Sequence, residues 1–174
     1  YEKKRVDTKM PVTVGTVFTD CDKARTQQQY ARRNGLKSIH VQLETYPNHR
    51  DGKLEVLNRL VKTVEPEYLM YADSYDTIQT CKPFEYKSLM SKVGKDKLVI
   101  GAERHYACNG CPKEMKTRFI SQFDPKDDKN GFRFLNAGFF IGNHVSMRHY
   151  KQFLENCESE DDQGCMYEYA LKYP

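Results

Sequence analysis

At 174 residues the chain is long enough to bury one proper core, and 39% hydrophobic with 30% charged residues is a globular rather than a disordered composition. No apolar stretch approaches the roughly 20 residues that a membrane-spanning helix needs. The net charge of +4 suits a small anionic ligand. The basic residues are scattered, however, and form no stripe that would track a nucleic-acid backbone.

The first ten residues, YEKKRVDTKM, read as an N-terminal extension without a signal-type apolar segment. From residue 11 the pattern alternates between strands and helices, which sets residues 11–174 apart as one domain. PVTVGTVF is short and β-branched, as a buried strand is. A polar helix is expected from about Asp22 to Asn34, stopped by Gly35. KSIHVQL reads as a second strand and ETYPNHRDG as a loop. From Lys53, the apolar Leu54, Leu57, Leu60 and Val61 fall at helical spacing. Tyr68–Ala72 is a third strand, PFEYKSLMSKV a helix and KLVIGAE a fourth strand. A cysteine loop and QFDPKDDKNG then interrupt the pattern before the aromatic-rich, strand-like GFRFLNAGFFIGN. Two final helices are expected at about 145–156 and 161–172. Repeated strand–helix–strand units predict an α/β fold, a mixed and mostly parallel sheet with helices on both faces.

The six cysteines are Cys21, Cys81, Cys108, Cys111, Cys157 and Cys165. Cys108-Asn-Gly-Cys111 reads as a disulfide hairpin or as half of a zinc site. No second CxxC completes a four-cysteine site, and Asn109-Gly110 favours a turn over the helix start of a thioredoxin-type motif. The even count favours structural disulfides, hence the ER lumen or the extracellular space. Reduced, buried cysteines would instead fit a cytoplasmic protein.

YLMYADSYDTIQ carries a strand directly into Asp73 and Asp76. In α/β sheets ligands gather outside the carboxyl ends of strands, and two carboxylates there can share one hard cation such as Mg2+ or Mn2+. A turn or a helix cap uses the same residues, so the spacing alone leaves both readings open. A haloacid-dehalogenase-type phosphatase would want DxD at its first strand, which is absent. Within FRFLNAGFFIG, Gly138 allows close backbone approach beside Asn136. In ESEDDQG, Asp161 and Asp162 stand at a helix start, where one acidic residue serves as a cap but two plus Gln163 exceed that need.

VTVGT, DGK, MYADSYD, IGAE, RFLNAGFFIG and EDDQ occur in the order found in the glycosyltransferase domain of procollagen lysyl hydroxylases. The sequence resembles that family, with its viral and microbial relatives, over about residues 11–173. DSYD and LNAGFFIG are the most specific segments. The resemblance implies a GT-A-type fold that uses a UDP-sugar and Mn2+. It implies that Val14 and Thr16 contact the uridine and that Lys53 reaches the donor's ribose or phosphates. Asp73 and Asp76 would ligate the metal, and Tyr75 would stack on the uracil. Asn136 and Gly138 would line the sugar site, and Asp161 and Asp162 would act near the transferred sugar and acceptor. Glu103 matches a family glutamate at the fourth strand's end.

The implied reaction moves glucose or galactose from UDP-glucose or UDP-galactose to a hydroxyl acceptor, such as a collagen-like protein's (galactosyl)hydroxylysine. Three features depart from the family. Its glycosyltransferase domain continues past the EDDQ helix and supplies a histidine as a further metal ligand, which would lie beyond Pro174. Its tryptophans are missing, with Tyr46 a candidate substitute beside the donor. No hydroxylase domain is present in these residues. Rival readings are a degenerate domain that binds nucleotide or a partner without catalysis, a transferase acting on modified nucleic-acid bases, and a disulfide-stapled binding module.

Overall fold

A computed structural model describes residues 12–45, 48–63, 67–75, 81–94, 96–108, 111–123 and 131–174. Asp76, Tyr46 and the expected N-terminal extension lie outside them. The described elements run β1 (Val12–Phe18), α1 (Cys21–Arg33), β2 (Lys37–Gln42), α2 (His49–Leu60), β3 (Tyr68–Ala72), α3 (Pro83–Val93), β4 (Val99–Glu103), α4 (Lys113–Phe123), β5 (Phe134–Gly142), α5 (His144–Glu155) and α6 (Asp162–Lys172). The fold is α/β.

The sheet order is β2-β1-β3-β5-β4. β1 pairs in parallel with β2 and β3, and β5 runs antiparallel between β3 and β4. Strand order reverses about β1, because β2 lies on one side of it and β3 on the other. Their carboxyl ends therefore open a crevice of the kind that binds ligands in doubly wound sheets.

Side chains alternate across the sheet and define two cores. Val12, Val14, Tyr68, Met70 and Ala72 pack with Ala31 of α1 and with Tyr86 and Met90 of α3. Val17, Leu69, Tyr71, Ala137 and Phe140 pack with α2, α5 and α6 on the opposite face. Asp73 follows Leu69 and Tyr71 in the period-two pattern, which places it on the α2/α6 side of the crevice. Gly15 lets α2 seat directly on β1, since a Cβ there would run into Val56 and Leu60.

Local chemistry explains the element ends. Asp20 caps α1 by accepting from the Asp22 and Lys23 N–H groups, and Gly35 ends it at φ +72°. The helix expected from Lys53 starts at His49 instead. Asn48 accepts from the Asp51 N–H at 2.7 Å and donates to the Asp51 carboxylate at 2.9 Å, so the cap stands before HRDG. Lys53 consequently sits inside a helix, where its side chain points into the protein.

α4 falls where the strand–helix pattern of the sequence is interrupted. Met115 and Phe119 pack on Tyr167 of α6, with Phe123 alongside. Cys108–Cys111 and Cys157–Cys165 form disulfides, while Cys21 and Cys81 are free. Among the described residues no helix is long and apolar enough to cross a membrane.

Candidate functional site

A cleft of about 700 Å³ opens at the carboxyl ends of β3 and β4, beside the amino-terminal half of the antiparallel β5. Asp73, Glu103, Glu160, Asp161 and Asp162 line it together with Asn136 and Gly138, and among the described residues no lysine or arginine does. Residues from β3, β4, β5 and the start of α6 are thus brought to one place. The sequence pointed to nearly all of them; Glu160 was not singled out.

The β5 strand departs from regular pairing here. Ile100 of β4 faces Phe140, but its neighbour Gly101 faces Asn136, so three residues of β5 bulge out of the ladder. A bulge re-aims side chains and carbonyls that a regular strand would commit to pairing. The Gly138 carbonyl accepts from the Asp73 N–H at 2.9 Å, and the Gly138 N–H donates to Asn136 Oδ1 at 2.7 Å. A Cβ on Gly138 would lie 2.5 Å from Asp73 Oδ2 and 2.8 Å from Asn136 Oδ1. Its φ is not positive. The glycine is required for space, because the Asp73 carboxylate lies directly over the bulge.

Asp73 Oδ1 also accepts from the Tyr71 hydroxyl at 2.8 Å. Tyr71 is fully buried and stacks on Phe140, with ring centroids 5.0 Å apart. The opposite wall is set by the start of α6. Asp161 is its N-cap and accepts from the Gln163 N–H at 3.0 Å. Gln163 spans to the bulge, accepting from the Ala137 N–H at 2.8 Å and donating to the Leu135 carbonyl. Asp162 pairs with Lys53. The three residues DDQ therefore divide into a cap, an ion-pair partner and a strand anchor.

Lys53 is 2% exposed and donates to the Ala137 carbonyl at 2.5 Å as well as to Asp162. Its ammonium lies 4.9 Å above the centre of the Tyr71 ring. Two disulfides support the acidic segment. Cys157–Cys165 closes the loop that carries Glu160, Asp161 and Asp162, while a Cβ added at Gly164 would lie 3.3 Å from Cys111 Sγ and 3.6 Å from Cys108 Sγ, so the second disulfide stands over the start of α6. Arg50 of α2 adds hydrogen bonds to the carbonyls of Cys157 at 2.6 Å and Ser159 at 3.3 Å.

Glu103 Oε2 accepts from Asn136 Nδ2 at 3.4 Å, and its buried Oε1 has no hydrogen-bond partner among the described residues. Burial pushes the Glu103 carboxyl above its ordinary range, against smaller downward contributions from Asn136 and the charge of His105.

Tyr75 lies across the crevice between β1 and β3. Its hydroxyl accepts from the Thr19 N–H at 2.8 Å and the Asp20 N–H at 3.0 Å, and its ring is 48% exposed. Burial raises the phenol's pKa, but the hydrogen bonds from Thr19 and Asp20 outweigh it and the net shift is downward. Ser74 Oγ donates to the Val17 carbonyl at 2.6 Å, joining the same two strand ends. Val14 and Thr16 are fully buried and do not line the cleft. Val14 packs in the α1/α3 core, and Thr16 Oγ1 lies 3.0 Å from His40 Nδ1.

No protein-family model matches the chain, and no curated protein sequence does either. Among solved structures, A197 from STIV is similar in fold, with a TM-score of 0.52 and 12% identity over 91% of this chain and 78% of its own. A glycosyltransferase involved in the glycosylation of the major capsid of PBCV-1 aligns over 91% of this chain and 76% of its own, at 11% identity. Its TM-score is 0.45, too low to carry an argument about this chain.

Proposed function

We propose that the protein is a metal-dependent glycosyltransferase that moves a hexose from a UDP-sugar to a hydroxyl acceptor. The observation that carries this reading is the composition of the cleft: five carboxylates and, among the described residues, no lysine or arginine. A nucleoside diphosphate cannot approach such a surface alone, because like charges repel strongly where water is partly excluded. A divalent cation removes the conflict by binding carboxylate on one side and phosphate on the other.

The residues fit such an ion. Among the described residues no three His, Cys, Asp or Glu side chains converge as ligands. An Mg2+- or Mn2+-type site, however, takes one or two carboxylates and completes its shell with water and substrate phosphates. Asp73, fixed over the bulge by Gly138 and Tyr71, would hold the ion, together with Asp76 at the end of DSYD. When bound, the ion would stabilise the charge that develops on the departing diphosphate without needing a proton.

The protein's own groups would do the rest. Tyr75 offers a half-exposed ring at the strand switch point, suited to stacking on a base. Asn136 and the bulge at Gly138 would border the sugar. Asp161 would stabilise positive charge at the anomeric carbon, and Asp162, its charge offset by Lys53, would border the sugar and acceptor. An acidic rim also suits a cationic acceptor, such as a hydroxylysine-bearing peptide, and opposes a nucleic-acid backbone.

A second reading, nucleotide binding without transfer, draws support from Lys53. The cation that the family resemblance assigns to the donor is here engaged by Asp162 and Ala137. One experiment separates the two. UDP binding and sugar transfer or hydrolysis are measured with UDP-glucose and UDP-galactose, with and without Mn2+, for the parent, Asp73→Asn and Asp76→Ala. The proposal expects turnover that requires Mn2+ and collapses in both variants. UDP binding indifferent to Mn2+ and to both aspartates would overturn the metal assignment. Metal-dependent binding without turnover favours the non-catalytic domain.

A further inference from the structure

We infer that Lys53 is a positioning residue that sets both walls of the cleft from behind, and not a cation that touches the donor. The inference deepens the transferase reading and rests on it for the meaning of the site. Lysine carries three N–H donors on one compact head. At Lys53 the Ala137 carbonyl and the Asp162 carboxylate each take a hydrogen bond, and the remaining side faces the Tyr71 ring. The ammonium is thus surrounded by protein. Lys53 does not line the cleft, although Ala137 and Asp162 both do.

Each contact fixes a different part of the site. Asp162 belongs to the start of α6, so the ion pair sets where the acidic segment stands relative to α2. Ala137 lies in the β5 bulge, next to the Gly138 that supports Asp73. Tyr71 carries the effect to β3, since its hydroxyl donates to Asp73 Oδ1 at 2.8 Å. Asp73 on one wall and Asp162 on the other are therefore connected through Lys53 and Tyr71, neither of which lines the cleft. For Lys53 to reach a phosphate, it would have to abandon Asp162 as an unpaired carboxylate beside the incoming anion. Burial and like-charge repulsion both oppose that exchange.

The test compares the full chain with Lys53→Met, Tyr71→Phe and the double variant. Tyr71→Phe keeps the ring and removes only the hydroxyl, so it preserves the test should Lys53→Met fail to fold. The first readout is amide hydrogen exchange without ligand. Positioning predicts faster exchange in Lys53→Met at 135–139 and 161–164, with β1 and β2 unchanged. The second readout is Mn2+ affinity by electron paramagnetic resonance, with UDP affinity and steady-state kinetics in Mn2+. Lys53→Met is expected to lower kcat about 100-fold, the scale of a misplacement near 1 Å, while UDP affinity stays within a few-fold. Tyr71→Phe is expected to weaken Mn2+ binding, and the double variant to lose less than the two single effects combined.

A tenfold or greater loss of UDP affinity in Lys53→Met with kcat preserved would make Lys53 a phosphate contact and overturn the inference. So would unchanged exchange at both segments. If the parent binds no UDP with any divalent ion, the transferase reading fails while the exchange experiment still decides what Lys53 does.

Discussion

Gly138→Ala tests most directly how the cleft is built. The added Cβ would lie 2.5 Å from Asp73 Oδ2, 2.8 Å from Asn136 Oδ1 and 3.3 Å from Asp73 Cγ. Reaching ordinary contact near 3.4 Å requires the Asp73 oxygen to retreat by about 0.9 Å and the Asn136 oxygen by about 0.6 Å. Neither is free to swing, because Asp73 holds the Tyr71 hydroxyl and Asn136 Oδ1 accepts from the Gly138 N–H. Yet both are side-chain ends rather than backbone, so the cost to folding is modest. Overpacking of this kind costs about 1–2 kcal/mol, equivalent to a Tm lower by roughly 2–8 °C for a domain of this size. The cost to function is larger, since a displacement near 1 Å at a reacting centre can remove about two orders of magnitude in rate. Thermal unfolding and Mn2+-dependent turnover of UDP-glucose, measured on the same preparation, separate the two effects. A folded Gly138→Ala with parental turnover would refute the claim that the cleft depends on where Asp73 and Asn136 are held.

Gly15→Ala is the contrasting case, since its Cβ would meet Val56 and Leu60 in the core between β1 and α2. It should lose about 2–3 kcal/mol in denaturant unfolding and keep its turnover per folded molecule. Replacing Cys157 and Cys165 with serine opens a loop of sequence separation 8 and should cost about 2–3 kcal/mol, seen as a lower Tm. In the parent, a thiol assay under denaturing, non-reducing conditions should find the two free cysteines, Cys21 and Cys81. Burial, then the charge of Arg32, holds the His40 imidazole below its ordinary 6.5. The unfolded chain therefore binds this proton more readily, and stability should fall as pH drops below about 6.5. His40→Gln should flatten that slope in urea titrations across pH 5–7; an unchanged slope would remove His40 as its source.

The sequence made the sheet legible where a short run is β-branched, as at Val12–Phe18, or continuously apolar, as at Tyr68–Ala72. It was less informative where a cap lies several residues before the apolar pattern. Capped by Asn48, α2 starts at His49, four residues ahead of Lys53, and that shift turns Lys53 from a helix-start cation into a buried one. α4 was hidden by the cysteine loop before it, although Met115, Phe119 and Phe123 recur at intervals of four. The candidate site was legible as residue types: Asp73, Asn136, Gly138, Asp161 and Asp162. Their division of labour was not. The Asp161 cap is local, but that Asp162 pairs with Lys53 and Gln163 anchors β5 depends on contacts between segments more than twenty residues apart. Periodicity carries no information about such pairings.

The charge pattern places a physical constraint on any ligand. The protein is basic overall, with a net charge of +4, but the cleft concentrates carboxylates and holds Lys53 behind its wall. Lys53 is consumed by Asp162 and Ala137, so it compensates one carboxylate and leaves Asp73, Glu103, Glu160 and Asp161 to shape the potential inside. Scattered surface lysines act at distances where salt screens them, roughly 8–10 Å at moderate ionic strength. The field that a bound ligand meets is therefore set by the cleft and not by the net charge. An anionic donor entering such a site must bring or find a cation, and an uncharged or cationic acceptor can follow without one. If the proposed function holds, metal should precede donor in the order of binding. Raising salt should weaken the encounter with acceptor more than the retention of a metal-bridged nucleotide.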